Sequence, residues 1–400
     1  MPDTLEFYGI CLCTAILTII FISTHCRVRP LRRTIHHTTP EGIRRLLDPP
    51  PRLMGRLLRS RALPNARLVA AFKLTNTFVS ADPTIHIDFV AKCIELFHIA
   101  EKDWPHFNCV AEQAVKLAIP DETIDFRTFV QSVTLSTVVV GLLDTTADIT
   151  ALASDVEAVG DLITQVWILS KKPEEIPPDL LAKLNDHLRR LMPDEVAYPN
   201  PLDFVVPVWE TLWRVVGVTL AHVHTDIVAR AEFQMLNDNP DLLNSREPKP
   251  DVTAPSAVDY INEALRLYPP VRHITRHTFK PSRLTAFLPR FLAARLPPRT
   301  TPEIADIEST QRSASWGPNP DAYDAGRFLH HPTLARDLLA FGCGPLKCPA
   351  SGWARGAAAV IVGAILNRVD GGAYEIVRGG GIGGREGWDG WLVQKVNTGT

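Results

Sequence analysis

A loop rich in glycine and proline near the C-terminal end constrains the fold more than any other part of the sequence. Residues 341–350 have the sequence Phe-Gly-Cys-Gly-Pro-Leu-Lys-Cys-Pro-Ala, and an apolar segment with helical spacing follows from Ala357 to Leu366. Glycines allow the backbone to pass close to a large flat group. A cysteine just before a helix N-terminus is exposed to the positive end of the helix dipole, which favours the thiolate over the thiol. The loop therefore predicts an unusual environment for Cys348.

Two interpretations of Cys348 are open on these residues alone. Its thiolate could be the axial ligand of a haem iron, since a haem is a flat group that fits such a loop. Alternatively, the cysteine is buried and inert in an ordinary turn. The choice between them depends on what the rest of the chain provides.

The composition indicates a globular protein and excludes several classes. With 46% hydrophobic and 22% charged residues, the chain has no signature of disorder. A formal net charge of -2 gives no reason to expect nucleic acid as a partner. The seven cysteines are odd in number and irregularly spaced, so they do not indicate a disulfide framework.

The N-terminal residues predict a membrane anchor. Residues 7–26 carry no formal charge unless His25 is protonated, and twenty helical residues are about long enough to cross a bilayer core. Four arginines follow between residues 27 and 33, whereas Asp3 and Glu6 precede, which places the following chain in the cytosol. A cleaved signal peptide is the alternative, but such peptides carry their positive charge before the apolar run. We therefore expect residues 1–26 to be a transmembrane anchor.

The next residues, 27–61, are basic and rich in proline. Proline-rich spacers are semi-rigid, and arginines close to a membrane are attracted to anionic lipid headgroups. We interpret 27–61 as a linker that holds a single globular domain, residues 62–400, against the cytosolic face.

The globular part is predicted to be mainly α with a small β region. Apolar residues recur at helical spacing in several segments from about Leu68 onward. These segments are 85–99, 111–117, 126–143, 155–170 and 180–191. Strand-like patches occur near the C-terminus, at Tyr374–Val377 and Trp391–Val396.

A long helix predicted from Pro207 to Val223 is apolar almost all round and should therefore run through the centre of the fold. It carries Glu210 beside Thr211. An acid and an alcohol inside such a helix are costly unless they are partnered or used. The alternative to a functional role is a satisfied polar pair near the helix start, where the dipole favours glutamate.

A second polar pair lies on the predicted helix Val258–Tyr268, which two prolines end. Glu263 and Arg266 are three residues apart and so share one face, as a surface ion pair would in most helices. A probable strand, Val271–Thr278, follows, and an irregular segment, residues 316–328, then ends in Arg327-Phe328.

In this order, these pieces resemble a cytochrome P-450, and most of all the divergent membrane-anchored fungal enzymes of that family. The resemblance covers essentially the whole chain and is sharpest from Asn200 to Leu366. The family's loop pattern is Phe-x-x-Gly-x-Arg-x-Cys-x-Gly. Phe341, Gly344 and Cys348 match this pattern. The arginine and the last glycine are replaced, at residues 346 and 350, by leucine and alanine.

The resemblance implies a role for each of the conspicuous residues. Cys348 would be the thiolate ligand of a haem b iron. Glu263, Arg266 and Arg327 would form a buried salt-bridged cluster behind the loop, with a structural role rather than a chemical one.

The acid–alcohol pair, Glu210 and Thr211, would relay protons to iron-bound dioxygen. The family usually has a glycine two residues before the acid, where this chain has Val208. The resemblance also implies cationic partners for the haem propionates. Lys347 is one candidate, and the strand after the Glu-x-x-Arg helix offers three more, each of which could equally be a plain surface residue. These three are Arg272, His273 and Arg276.

A chain of this family would be a haem-thiolate monooxygenase that inserts one oxygen atom from O2 into an apolar organic substrate, in fungal secondary or xenobiotic metabolism. Electrons would come from a membrane-bound NADPH-cytochrome P-450 reductase. The protein would lie on the cytosolic face of the endoplasmic reticulum, anchored in membrane lipid. Two alternatives remain: a P-450-like relic that binds haem or lipid without turnover, and a membrane-tethered helical scaffold without a cofactor.

Overall fold

The structure is a computed structural model that describes residues 34–119, 121–143, 145, 148, 150, 152–172, 174–244, 254–280, 299–369 and 373–396. The chain divides into two compact units. One consists of Met1–Ile35 with Thr278–Glu303, and the other of His36–His277 with Ile304–Thr400. In the small unit, the Thr278 hydroxyl donates a hydrogen bond to Glu303 Oε1 at 2.7 Å.

The part of the chain that the structure describes contains thirteen α-helices, which make up most of the fold. They are α1 (Pro40–Leu47), α2 (Met54–Phe72), α3 (Pro83–Lys102), α4 (Trp104–Ala118), α5 (Phe126–Gly141), α6 (Ala153–Leu169), α7 (Pro178–Leu191), α8 (Leu202–Val223), α9 (Ile227–Asp238), α10 (Ala257–Leu267), α11 (Ile307–Gln311), α12 (Gly326–His330) and α13 (Trp353–Val369). Short 3-10 turns lie at Pro240–Leu243, Ala314–Trp316, Pro332–Arg336, Gly344–Leu346 and Pro349–Ser351.

Six strands form two small sheets. The strands are β1 (Ile35–His37), β2 (Thr123–Asp125), β3 (His273–Lys280), β4 (Arg299–Asp306), β5 (Tyr374–Val377) and β6 (Leu392–Lys395). The first sheet has the order β1-β4-β3 and the second the order β2-β6-β5. In the second sheet, the central strand is antiparallel to both neighbours, and Val393 lies opposite Ile124 and Ile376. The mainly helical prediction with a small β region is confirmed.

The helix that follows the cysteine loop, α13, is buried along most of its length. It packs against α4, α8, α9 and α10, and fully buried residues cover almost its whole circumference. A helix that is apolar all round has no solvent face to present, so it must lie in the interior. Gly356 is required for one of these contacts, because a Cβ there would lie 2.9 Å from the Trp104 ring.

Helix α8 begins five residues earlier than the sequence predicts. Pro207, the predicted first residue, lies inside the helix. A proline inside a helix leaves the carbonyl four residues earlier without its usual donor. Here that carbonyl belongs to Asp203, and it accepts a hydrogen bond from Asn76 Nδ2 at 2.8 Å. The helix therefore passes through Pro207 because a side chain from the α2–α3 turn replaces the missing bond.

The predicted linker, residues 27–61, is folded where the structure describes it. Helix α1 begins with Pro40 and is capped by the Thr39 hydroxyl, which accepts from the Gly42 N–H. A proline is favourable at this position because its missing N–H would be unpaired anyway. Ile43 is fully buried in a small cluster of apolar residues, so Pro40 begins a packed helix within the predicted linker. The other buried members are Leu46, Leu47, Ala305, Ile307 and Leu339.

The predicted membrane anchor, residues 1–26, lies outside the described residues. Within the described ranges, α8 is the one helix whose length and hydropathy would allow it to cross a membrane. Of its apolar window, 72% is buried inside the protein. Core helices of globular proteins pass the same test, and the packing of α8 against α5, α10 and α13 identifies it as one of these.

The packing of α1 makes a direct prediction about stability. Replacing Ile43 with alanine should lower the free energy of unfolding by about 2–5 kcal/mol, because the side chain is 0% exposed and its loss leaves a cavity. Leu53→Ala is the matched control, since Leu53 is 56% exposed and should cost less than about 0.5 kcal/mol. Denaturant unfolding measures both, and equal small losses would show that residues 40–47 do not pack.

Candidate functional site

The cysteine loop is closed by one backbone hydrogen bond and shaped by two glycines. The Cys348 N–H donates to the Phe341 carbonyl at 2.9 Å. Gly342 and Gly344 have φ values of 68° and 72°, in the left-handed region that favours glycine. At Gly344 the space is also occupied, because an added Cβ would lie 2.7 Å from Asp48 Cβ. The loop therefore requires glycine where the sequence pattern has it.

The structure corrects the argument about the charge state of Cys348. A 3-10 turn, Pro349–Ser351, separates the cysteine from α13, so its sulfur is not at the start of the long helix. Burial raises the pKa of the Cys348 thiol, and a backbone hydrogen bond from Ala350 and the charge of Lys347 oppose this only in part. The protein environment alone therefore favours the thiol, and a positive ion at the sulfur would be needed to reverse the balance.

Glu263, Arg266 and Arg327 lie together in one buried cluster. Arg266 donates from Nε and Nη2 to the two carboxylate oxygens of Glu263, both at 2.7 Å. Arg327 Nε lies 3.4 Å from Glu263 Oε1, which also accepts the Asp324 N–H at 2.9 Å. One carboxylate thus binds two guanidinium groups away from water, and the surface ion pair considered for Glu263 and Arg266 is not what forms.

The remaining donors of these arginines hold the irregular segment in place. Arg266 Nη1 donates to the carbonyls of Gln311 and Pro320, at 2.7 and 2.6 Å. Arg327 donates to the carbonyls of Trp316 and Asn319, at 2.7 and 2.5 Å. The carbonyls of Gln311 and Trp316 end a short helix and a 3-10 turn, and those of Asn319 and Pro320 lie in the connection that follows. The arginines thus supply donors to carbonyls at helix ends and in irregular backbone.

Gln311 connects this cluster to the cysteine loop, and no sequence pattern indicates this role. Its amide nitrogen donates to the carbonyls of Leu265 and Arg266, both at 3.0 Å. Its amide oxygen accepts the Leu339 N–H at 2.7 Å, two residues before Phe341. A lone glutamine in a short helix carries no pattern, and only the fold shows its position.

A buried arginine and a half-buried arginine near the loop influence each other's charge and have no acidic partner in the described part of the chain. Arg61, on α2, donates from Nη2 to the carbonyl and the hydroxyl of Thr77, and its Nε has no partner among the described residues. Arg276, on β3, donates from Nη1 to the Thr275 carbonyl at 3.0 Å.

Burial dominates the electrostatics of this arginine pair. Burial and the nearby charge of Arg276 lower the pKa of Arg61 to about 9. Burial also lowers the pKa of Arg276 to about 10, opposed by the nearby Cys343. A buried cation without a counter-charge is unfavourable, so the pair forms a site that favours anionic groups.

Of the other candidate cations, none is enclosed in this way. Arg272 is half-exposed and lies 3.6 Å from Glu308, and His273 is half-exposed and lies 3.6 Å from Asp306. Lys347 is exposed. The structure thus brings Arg276 to the buried site and leaves Arg272 and His273 at the surface. Arg61 was missed, because an arginine on an amphipathic helix resembles any solvated one.

Glu210 is held between two arginines and is not free. Its Oε2 lies 2.8 Å from Arg214 Nη2, and its Oε1 lies 2.5 Å from Arg385. The Thr211 hydroxyl is held more loosely, at 3.4 Å from the carbonyls of Pro207 and Val208 in its own helix. The acid is therefore partnered, as the structural alternative for this pair requires, and Arg385 is a partner 175 positions further along the chain.

The buried cluster around Glu263 makes a prediction about stability. Arg327→Gln should cost about 3–5 kcal/mol in the free energy of unfolding, because it leaves a buried carboxylate with one charged partner fewer. Arg44→Gln is the control, since Arg44 pairs with Asp337 at the surface and such pairs contribute about 0–1 kcal/mol. Equilibrium unfolding in urea distinguishes them, and a control loss as large as that of Arg327→Gln would contradict the assignment.

Comparison with known proteins gives the fold a name. No family model matches the chain, and no curated protein sequence matches it. Several solved structures are similar to it in fold. One is a six-coordinated cytochrome P-450 from Thermus thermophilus, with a TM-score of 0.59, 16% identity and coverage of 90% of this chain and 92% of that one.

Two further solved structures are similar to this chain. A myxobacterial cytochrome P-450 in complex with myristic acid has a TM-score of 0.55 at 16% identity, with 90% of this chain and 89% of that one covered. The haem domain of a cytochrome P-450 from Tepidiphilus thermophilus has a TM-score of 0.51 at 16% identity, with 90% and 88% covered. At such identities the likeness concerns architecture. The chain therefore has the cytochrome P-450 fold.

Proposed function

We propose that this protein is a haem-thiolate monooxygenase that inserts one oxygen atom from O2 into an apolar organic substrate. The observation that carries the proposal is the pair Arg61 and Arg276. Two cations without an acidic partner in the described residues match the two propionates of a haem, and Cys343 of the cysteine loop lies near Arg276. An ordinary structural role would instead place carboxylates of the chain against these arginines.

The residues present fit this group. Cys348 would ligate the iron, and the metal's positive charge would overcome the burial that otherwise keeps the sulfur protonated. Arg61 and Arg276 would hold the propionates. When bound, the haem would supply oxygen activation, with electron density from the thiolate.

The chain's own residues would position the cofactor, enclose it and deliver protons. The Glu263 cluster and Gln311 hold the loop that carries the sulfur. Helix α8 carries Thr211, whose long hydrogen bonds leave its hydroxyl available to pass a proton. Glu210 would have to leave one of its salt bridges before it could take part, so we assign it first to positioning Arg214 and Arg385.

The wider setting is also part of the proposal. Electrons would come from an NADPH-cytochrome P-450 reductase, and residues 1–26 would anchor the protein in lipid of the endoplasmic reticulum, with its body in the cytosol. Fungal secondary or xenobiotic metabolism is the expected context. An apolar ligand is supported by the similar myxobacterial P-450, which was solved in complex with myristic acid.

A haem-binding relic without turnover is the second candidate. It is favoured by the two salt bridges that hold Glu210 and by Val208, where a glycine would leave more room for oxygen. Oxygen consumption, measured with NADPH, a reductase and a panel of apolar compounds, separates the two. Consumption coupled to a hydroxylated product supports the monooxygenase, and its absence in haem-loaded protein supports the relic.

The proposed ligand can be tested by spectroscopy. The reduced, carbon monoxide-bound protein should show the red-shifted Soret band of thiolate ligation, and Cys348→Ala should abolish that band. Cys343→Ala is the matched control from the same loop and should retain it. A Cys348→Ala protein with an unchanged spectrum and full haem content would assign the iron to another ligand.

The cation pair can be tested through retention of the cofactor. Arg61→Gln and Arg276→Gln should each weaken haem binding at least about tenfold, because each loses a charge-assisted hydrogen bond to a propionate. Arg272→Gln is the control, since its side chain is half-exposed and near Glu308. The rate of haem transfer to apomyoglobin measures the effect. Equal rates in all three variants would refute the role of the pair.

A further inference from the structure

A second group of cations surrounds Glu210. It shares no hydrogen-bond partner with the pair Arg61 and Arg276 among the described residues. Arg214 and Arg385 bind its two carboxylate oxygens, and their side chains are each 12% exposed. Arg67 and Lys171 complete the group, which we call the Glu210 cation cluster. Four elements contribute to it: α2, the end of α6, α8 and the segment before Trp388.

The inner part of the cluster is rigid. Arg214 donates to the Glu210 carboxylate and to two backbone carbonyls, Glu210 at 3.0 Å and Pro270 at 2.8 Å. Arg385 binds Glu210 and lies over the Trp167 ring, with its guanidinium carbon 4.4 Å from the ring centroid. These contacts fix two guanidinium groups around one carboxylate in a geometry that arginine and carboxylate groups favour.

The outer part is open. Arg67 donates to the Ser170 hydroxyl and lies 5.0 Å from the centroid of the same Trp167 ring. The hydrogen bond to Ser170 comes from Nη1, and Nε and Nη2 donate to no other group among the described residues. Lys171, the next residue after Ser170, is exposed. The cluster thus has donors on its solvent side that the described residues do not use.

The charges in the cluster do not balance. Among the described residues, Glu210 is the acid that stabilises the charged forms of Arg67 and Lys171. The charges of Arg385, Arg67 and Arg214 oppose the charge of Lys171. Burial, followed by the charges of Arg385 and Arg67, lowers the pKa of Lys171. Four cations around one carboxylate leave three positive charges in excess in a partly enclosed space, which strongly favours a second anion.

We propose that the Glu210 cation cluster binds the carboxylate of an apolar organic acid. Arg214 and Arg385 already bind one carboxylate, that of Glu210. Arg67 and Lys171 offer further cationic donors for a carboxylate on the open side. The half-buried Trp167 ring, over which Arg67 and Arg385 lie, places apolar atoms next to these cations for contact with the rest of the molecule. As a substrate site this rests on the proposed monooxygenase function; as a binding site it does not.

The cofactor does not account for this cluster. A haem has two propionates, and the pair Arg61 and Arg276 already matches them in number and charge. Arg67 is six residues after Arg61 on α2, about 9 Å further along the helix axis. The excess charge at Glu210 therefore needs a different anion.

Calorimetric titration with decanoate, below the concentration at which it forms micelles, tests the site in the purified protein. Wild-type protein should bind decanoate at least about tenfold more tightly than decanol, because the alcohol lacks the charge that pairs with the cations. Arg67→Gln and Lys171→Gln should each remove much of this preference. Lys172→Gln is the matched control, an exposed lysine next in sequence that should leave it unchanged.

A second variant should change affinity in the opposite direction. Glu210→Gln removes the internal carboxylate and leaves Arg214 and Arg385 without an anion, so decanoate should bind more tightly than to wild type. The variant should unfold at a lower temperature, and decanoate, but not decanol, should restore part of the loss. A merely structural role for the cluster would give the lower temperature without the restoration.

Equal affinity for decanoate and decanol, or equal effects of the Lys171 and Lys172 substitutions, would overturn the proposal. The haem spectrum, recorded on the same samples, separates this outcome from failure of the proposed function. A normal carbon monoxide spectrum without decanoate preference refutes the anion site alone. Decanoate preference in protein that binds no haem refutes the monooxygenase and leaves the anion site in place.

Discussion

The carboxylate of Glu263 has no contact with solvent, and the arrangement of the C-terminal third depends on this constraint. A buried carboxylate must keep its cationic partners, since loss of one leaves a charge that neither water nor protein neutralises. Arg266 and Arg327 in turn need acceptors for their remaining donors, and they find them in the backbone of the irregular segment. Through Gln311 the same network reaches Leu339 and the cysteine loop. The position of the Cys348 sulfur thus depends on the buried salt bridges of Glu263, which reach the cysteine loop through Gln311.

Two cation sites in the same protein differ in what they leave unsatisfied. The site of Arg61 and Arg276 has no acidic side chain in the described residues, so its charge is available to a group from outside the chain. The site around Glu210 has one acid of its own and more cations than that acid can balance. The first favours a dianionic group held tightly in the interior, whereas the second favours a single anion that enters from solvent. This difference allows a cofactor and a ligand to be bound without competing for the same donors.

The sequence predicts what depends on local periodicity, and it fails where distant parts of the chain meet. Helical spacing located α3, α5, α6, α7 and α13 to within about four residues, whereas the predicted segment 111–117 covers only the second half of α4. The strand patches near the C-terminus correspond to β5 and β6. The prolines gave two wrong predictions. Pro40, predicted to lie in a linker, begins a helix, and Pro207, predicted to begin a helix, lies within one, where Asn76 supplies the missing hydrogen bond. No local pattern indicates that Arg385 binds Glu210 or that Arg61 lies near Arg276. The charge state of Cys348 also depends on burial, which no short segment reveals.

Helix α13 is buried along most of its length and is the last helix that the structure describes along the chain. Its partners α4, α8, α9 and α10 are all made before it during translation. Each of them exposes an apolar face until residues 353–369 leave the ribosome, so the central bundle closes only after this helix has been synthesised. Until then, the apolar faces that α13 covers in the folded protein are open to non-native contacts.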